Sequence, residues 1–144
     1  MAFNCPFCFA PEDKIRKVLK EGKHVRVILS NPRLMVGHTL VVPKRHVAAF
    51  SELSKEELSE LFKTAIRFQE KLKKLHPYSG CDLSQHDRPF MPTTRLTIPG
   101  HLHIHLRPRF LKDRYYKKVL IRETRQFSEL KEEEKNELYK LLAE

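Results

Sequence analysis

The sequence predicts an α+β domain, on three observations. Segments with a period of two, at 24–29, 37–43 and 100–109, read as strands, and the first two lie close enough in sequence to suggest an antiparallel pair. The period turns helical between Ser54 and His76 and again between Ser128 and Glu144. A length of 144 residues suits one domain, 1–144, with a real core, and is too short for two ordinary ones.

Taken in order, the chain opens on the loop Cys5-Pro6-Phe7-Cys8. The charged stretch from Glu12 to Lys23 reads as a short helix or polar connection ending at Gly22. His24 to Leu29 is rich in β-branched residues and alternates, so it reads as a strand closed by the turn formers Asn31-Pro32. Gly37 to Pro43 is a second strand, ended by Pro43. In the first helix Leu58, Leu61, Phe62, Ala65, Leu72 and Leu75 share a face, Ser54 and Glu57 form a capping box, and Pro77 follows the end. A third strand is expected at 80–84, then a loop through Pro89 and Pro92, then the histidine strand, which Pro108 terminates. Phe-Ser-Glu-Leu occurs at 50–53 and again at 127–130, each time before a helix. The strands preceding the two copies do not match, so no duplication of a domain follows.

The formal net charge of +10 calls for an anionic partner, either phosphate-bearing small molecules or nucleic acid, and charge alone does not choose between them. Residues 107–125 are dense in Lys and Arg, with Phe110, Tyr115 and Tyr116 interleaved. That strip is either a solvated loop or a surface on which phosphates bind and bases stack. No stretch approaches the roughly 20 apolar residues of a membrane span, and Met1 to Pro6 lacks the basic start and apolar centre of a signal peptide, so a cytoplasmic location is expected. Three cysteines, two of them close together, in a reducing compartment favour metal ligation over a disulfide framework.

The most informative run is Gly100-His-Leu-His-Ile-His-Leu-Arg-Pro-Arg109. On a strand His101, His103 and His105 project from one face, about 7 Å apart, while Leu102, Ile104 and Leu106 enter the core. Imidazole changes charge near neutral pH and serves as nucleophile, general acid or base, or metal ligand, so three of eight histidines on one face mark a chemical site.

Cys5-Pro6-Phe7-Cys8, then Gly37-His-Thr-Leu-Val-Val-Pro-Lys-Arg-His-Val47, then a long helix, then His101-x-His103-x-His105 with Leu-Arg-Pro-Arg: in this order and spacing the chain resembles the histidine triad (HIT) superfamily. The resemblance implies an α+β fold with an antiparallel sheet, usually a homodimer, acting on nucleotides by hydrolysing or transferring a nucleoside monophosphate. It assigns His103 as the nucleophile that attacks the α-phosphorus. His105 would contact a phosphate oxygen or the leaving group, and His38 would orient and polarise the His103 ring. A histidine at 105 favours hydrolysis, since the transferase branches commonly carry Gln there.

Cys5 and Cys8 supply two thiolates on a short loop. The zinc-bearing relatives imply that His46 and His101 complete a closed Cys2His2 site, with zinc as a structural scaffold. The chain departs from the family ahead of the triad. Asp82 to Phe90 and Arg95 to Pro99 stand where an Asn-x-Gly and a Gly-Gln-Ser segment are usual, so Gln85, His86 and Thr97 are the expected phosphate contacts. Asn31 stands near the position of the family's ribose-binding carboxylate. The substrates expected are a dinucleoside polyphosphate or a nucleoside phosphoramidate. Two other readings stay open: removal of nucleotidyl groups from nucleic-acid ends, as in the aprataxin branch, and a non-catalytic nucleotide-binding protein.

Overall fold

The structure, a computed structural model, describes residues 5, 7–8, 17–31, 33–76, 79–86 and 100–143. The chain divides into two compact units, 1–111 and 112–144. The first holds a five-stranded antiparallel sheet: β1 (Val18–Glu21), β2 (Val25–Leu29), β3 (Thr39–Pro43), β4 (Ser79–Ser84) and β5 (Ile104–Phe110). The spatial order is β1-β2-β3-β5-β4, which places the histidine strand between β3 and β4. The expected strands at 24–29, 37–43 and 80–84 are all present as β2, β3 and β4.

Strand β1 corrects the reading of 12–23 as helix or connection; residues 12–16 of that stretch lie outside the described ones. Val18 and Lys20 pair with Ile28 and Val27 across a register shift. A four-residue edge strand carrying Lys20 and Glu21 leaves little apolar periodicity, and charged residues on an edge protect it from pairing with other chains.

Pro108 does not end β5, which continues to Phe110. Pairing of β5 with β3 stops at Leu106, so at Pro108 the β3 side is already an edge, where a missing N–H breaks no ladder bond. On the other side β5 pairs with β4 throughout, from Ser79 opposite Phe110 to Ser84 opposite His105.

Helix α1 (Lys55–Lys73) begins as its sequence predicts: the Glu57 N–H donates to Ser54 Oγ at 3.2 Å and the Ser54 N–H donates to Glu57 Oε2 at 2.8 Å. Its inner face is rotated from the expected one. Leu61, Ala65 and Leu72 are buried, joined by Thr64 and Phe68, whereas Leu58, Phe62 and Leu75 lie on the exposed flank. Phe62 instead stacks on Phe50, ring centroids 5.6 Å apart.

The α1 face of the sheet carries the main core, with Val25, Val27, Val41, Val47, Leu61, Phe68, Leu102, Ile104 and Leu106 among its members. Alternation sends the opposite side chains to the other face, where Ile28, Leu40 and Val42 cluster with Phe7 and Val18. His105 lies opposite Leu40 and Ser84 in the ladders, so it belongs to this second face.

In the second unit a π-helical turn (Tyr116–Leu120), the short α2 (Ile121–Thr124) and α3 (Glu132–Leu142) follow one another. The buried Asp113 carboxylate accepts the Tyr116 N–H at 2.6 Å. The expected helix over 128–144 is shorter than its pattern, because the second Phe-Ser-Glu-Leu copy is coil and helix begins only at Glu132.

Candidate active site and metal centre

The three histidines meet three different sets of partners. The strand ladder starts at Ile104, but the burial alternation begins earlier: Leu102 is buried and its N–H donates to the Val47 carbonyl at 2.7 Å. His101 and His103 are therefore held on an extended segment that runs directly into β5.

His103 Nδ1 lies 2.7 Å from the carbonyl oxygen of His101. A carbonyl only accepts, so Nδ1 carries the proton and the lone pair sits on Nε2. Phe7, from the CxxC loop, packs against this ring at 4.7 Å between centroids.

His38 and His105 form a directional relay. The Leu34 N–H donates to His38 Nδ1 at 3.1 Å, so His38 Nε2 carries the proton and donates it to His105 Nδ1, 2.9 Å away. His105 in turn keeps its proton on Nε2. Burial, and then repulsion by His103 once that ring is itself protonated, pushes His105 down to about 3; burial, with the charge of Arg107 next, pushes His38 down to about 4. Both rings are neutral at pH 7. This differs from the expected coupling of His38 to the His103 ring: the backbone of His101 orients His103, and His38 orients His105.

What sets the position of His38 is Gly37, whose φ of +81° disfavours any residue with a Cβ. A Cβ there would also come within 3.0 Å of Leu75 Cδ1 and Pro108 Cγ. The Gly-His dipeptide at the start of β3 is thus a geometric unit.

Cys5, Cys8, His46 and His101 converge on one point. Their ligating atoms all lie within 4.8 Å of one another. His101 Nδ1 is 3.2 Å from Cys5 Sγ, 3.6 Å from Cys8 Sγ and 3.1 Å from His46 Nδ1, and Cys8 Sγ is 3.4 Å from His46 Nδ1. On its far side His101 Nε2 donates to the Pro43 carbonyl at 2.9 Å, so the lone pair of His101 points into the cluster. Burial holds His101 below its ordinary value and hence neutral, as a ligand must be. Burial and the adjacent Cys5 thiol raise Cys8 to about 11, the penalty expected where two thiols share a site and one that a cation would reverse.

The remaining expected residues are placed less evenly. His86 packs 5.1 Å from the His105 ring, and Gln85 precedes it just beyond the end of β4. Asn31 is exposed beyond the end of β2, and Thr97 falls outside the described residues.

Three participants were not singled out from sequence. Phe7 lies between the two cysteines and has no ligating or titratable group to mark it. The Leu34 amide is a backbone group in a loop and leaves no residue-type signal. Arg107 was read as the start of a basic strip, yet its parity with His103 and His105 puts it on their face of β5. That parity was the available signal.

The HIT domain profile matches residues 12–111, and the chain belongs to the HIT domain family. It is 35% identical over 115 residues, 76% of this chain and 81% of the relative, to an uncharacterized HIT-like protein of Methanocaldococcus jannaschii. A bifunctional bis(5'-adenosyl)-triphosphatase/adenylylsulfatase of Arabidopsis thaliana is 38% identical over 76 residues, 53% of this chain and 40% of that one. Among solved structures, a HIT family protein of Bacillus anthracis superposes with a TM-score of 0.68 at 23% identity over 99% of this chain and 97% of the other. A Zn-bound histidine triad family protein of Mycobacterium smegmatis gives 0.61 at 24% identity over 77% and 78%. The α+β architecture with its antiparallel sheet is thus the fold of this family.

Proposed function

We propose that this protein is a zinc-containing nucleotide hydrolase. It would cleave at the α-phosphate of a nucleoside monophosphate conjugate, a dinucleoside polyphosphate or a nucleoside phosphoramidate, through a nucleotidyl group carried on His103. The observation that carries this reading is the His103 ring itself, with Nδ1–H fixed on the His101 carbonyl and the His105 ring 4.6 Å away between centroids. The hydrolase named among the relatives supports the reaction class.

In the first step the Nε2 lone pair forms a bond to the α-phosphorus while the bond from phosphorus to the leaving group breaks, the leaving group keeping the electron pair. The Nδ1–H bond to the His101 carbonyl stabilises the imidazolium that results. His105 Nε2–H, its own ring steadied by His38, donates to the phosphoryl oxygen or to the leaving group. In the second step water attacks the phosphorus and gives up a proton to solvent, while the N–P bond breaks and its pair returns to His103 Nε2. Gln85, His86, Thr97 and Asn31 are proposed to hold phosphate and ribose.

Zinc fits the Cys2His2 cluster. Bonds of about 2.3 Å to sulfur and about 2.0 Å to nitrogen around a tetrahedral ion space the ligand atoms by roughly 3.3 to 3.8 Å. Four of the six ligand pairs span 3.1 to 3.6 Å and all six lie within 4.8 Å, and the Mycobacterium smegmatis neighbour is Zn-bound. With four protein ligands the ion supplies rigidity: it would fix the CxxC loop, and with it Phe7, against the segment that carries His103.

The test is incubation with dinucleoside polyphosphates and nucleoside phosphoramidates, with products identified by mass. Release of a nucleoside monophosphate that is lost in His103→Ala is expected. Nucleotide binding without turnover would instead indicate a binding protein.

A further inference from the structure

We propose that Arg107 is a specificity-determining residue that binds the phosphates beyond the α position, so that the site favours nucleotides joined through a phosphate chain over phosphoramidates. This rests on the reading of the histidine face as a nucleotide site.

Arg107 stands two residues beyond His105 on the same face of β5. Its guanidinium does not continue along the strand toward Phe110. It turns back and across, and Nη2 donates to Ser84 Oγ at 2.7 Å. Ser84 is the direct cross-strand partner of His105. The cation is thereby held at the level of the histidine, on the β4 side, with His86 also packed on the His105 ring. Its field reaches the site: the charge of Arg107 is among the influences that keep both His38 and His105 deprotonated.

This placement answers an electrostatic requirement that the histidines do not meet. His38 and His105 are neutral at pH 7 and offer one N–H toward substrate between them. A conjugate bridged by a single α-phosphate carries about one negative charge, and each further phosphate adds another. When the bond to a polyphosphate leaving group breaks, the leaving group takes the electron pair and gains charge, and a fixed guanidinium with paired donors suits that charge. Arg109, next on the same face, donates to the Asp82 carboxylate at 2.8 Å.

The experiment titrates the full-length protein with AMP and with ADP by calorimetry, and in parallel follows turnover of a diadenosine polyphosphate and of adenosine 5'-phosphoramidate. The variants are Arg107→Gln, which removes the charge and keeps a donor for Ser84, and Arg107→Lys, which keeps the charge and covers the case in which the first fails to fold. The wild type is expected to bind ADP more tightly than AMP. Arg107→Gln should erase that preference by about 10- to 100-fold, with AMP affinity little changed, and Arg107→Lys should retain part of it. Equal wild-type affinity for the two nucleotides, or an unchanged ratio in Arg107→Gln, overturns the assignment. If the ratio shifts as expected while neither conjugate is turned over, Arg107 keeps its role and the hydrolase reading fails.

Discussion

The hydrogen-bond acceptor or donor that each imidazole meets decides its chemistry. His101, His103 and His105 are the same residue on the same face, yet they meet a proline carbonyl, a histidine carbonyl and a second imidazole, and in the proposed mechanism these partners suit them to a metal centre, a nucleophile and a proton-bearing donor. The row of imidazoles was legible in the sequence from its period of two. The tautomers were not, because they are set by backbone atoms that carry no residue-type signal. Replacing His38 by Asn should slow the chemical step by about 10²- to 10⁴-fold in single-turnover measurements on the folded protein. A histidine that only packs would leave that rate unchanged. The same pair makes stability depend on pH. Both rings titrate well below the ordinary value of about 6.5, so as pH falls from there toward about 4 the unfolded chain takes up protons that the folded one refuses. Stability should therefore fall with falling pH in that window, by up to about 1.4 kcal/mol per pH unit per histidine. His105→Gln should reduce the slope by close to one proton, as read from unfolding midpoints between pH 4 and 7.

Elements whose local signals agree were readable in the sequence, and those that depend on partners were not. The start of α1 followed from Ser54 and Glu57, and Ser54→Ala should cost about 1 kcal/mol in chemical denaturation. Its inner face was harder to read, since Leu58 and Phe62 are apolar but Thr64 and Phe68 are the ones turned to the sheet. Strand β1 is not legible in the sequence because four residues between charges carry too little periodicity, and it exists by pairing with β2. Pro108 was read as a terminator because the sequence does not disclose that β3 stops pairing at Leu106. The turn at Gly37 links element to site: Gly37→Ala should destabilise the fold by about 1 to 2 kcal/mol through its left-handed backbone. It should also lower turnover by displacing His38, which thermal melts and single-turnover rates on one preparation would register together.

At the scale of the whole molecule, two sites share one segment. The Cys2His2 cluster includes His101 and the proposed catalytic row is His103 and His105, while Phe7 touches both His101 and His103 from the CxxC loop. Metal removal, or Cys5→Ser, should therefore lower the melting temperature and reduce activity secondarily, because a structural metal contributes folding free energy directly. A zinc content near zero in carefully purified protein would contradict the four-ligand proposal. The most direct measurement of the central claim is the fate of the α-phosphoryl group. Trapping with a slow substrate, followed by mass spectrometry with fragment-ion localisation across 101–105, should find a nucleotidyl group on His103 that is absent from His103→Gly. An adduct on His101 or His105 would contradict the account.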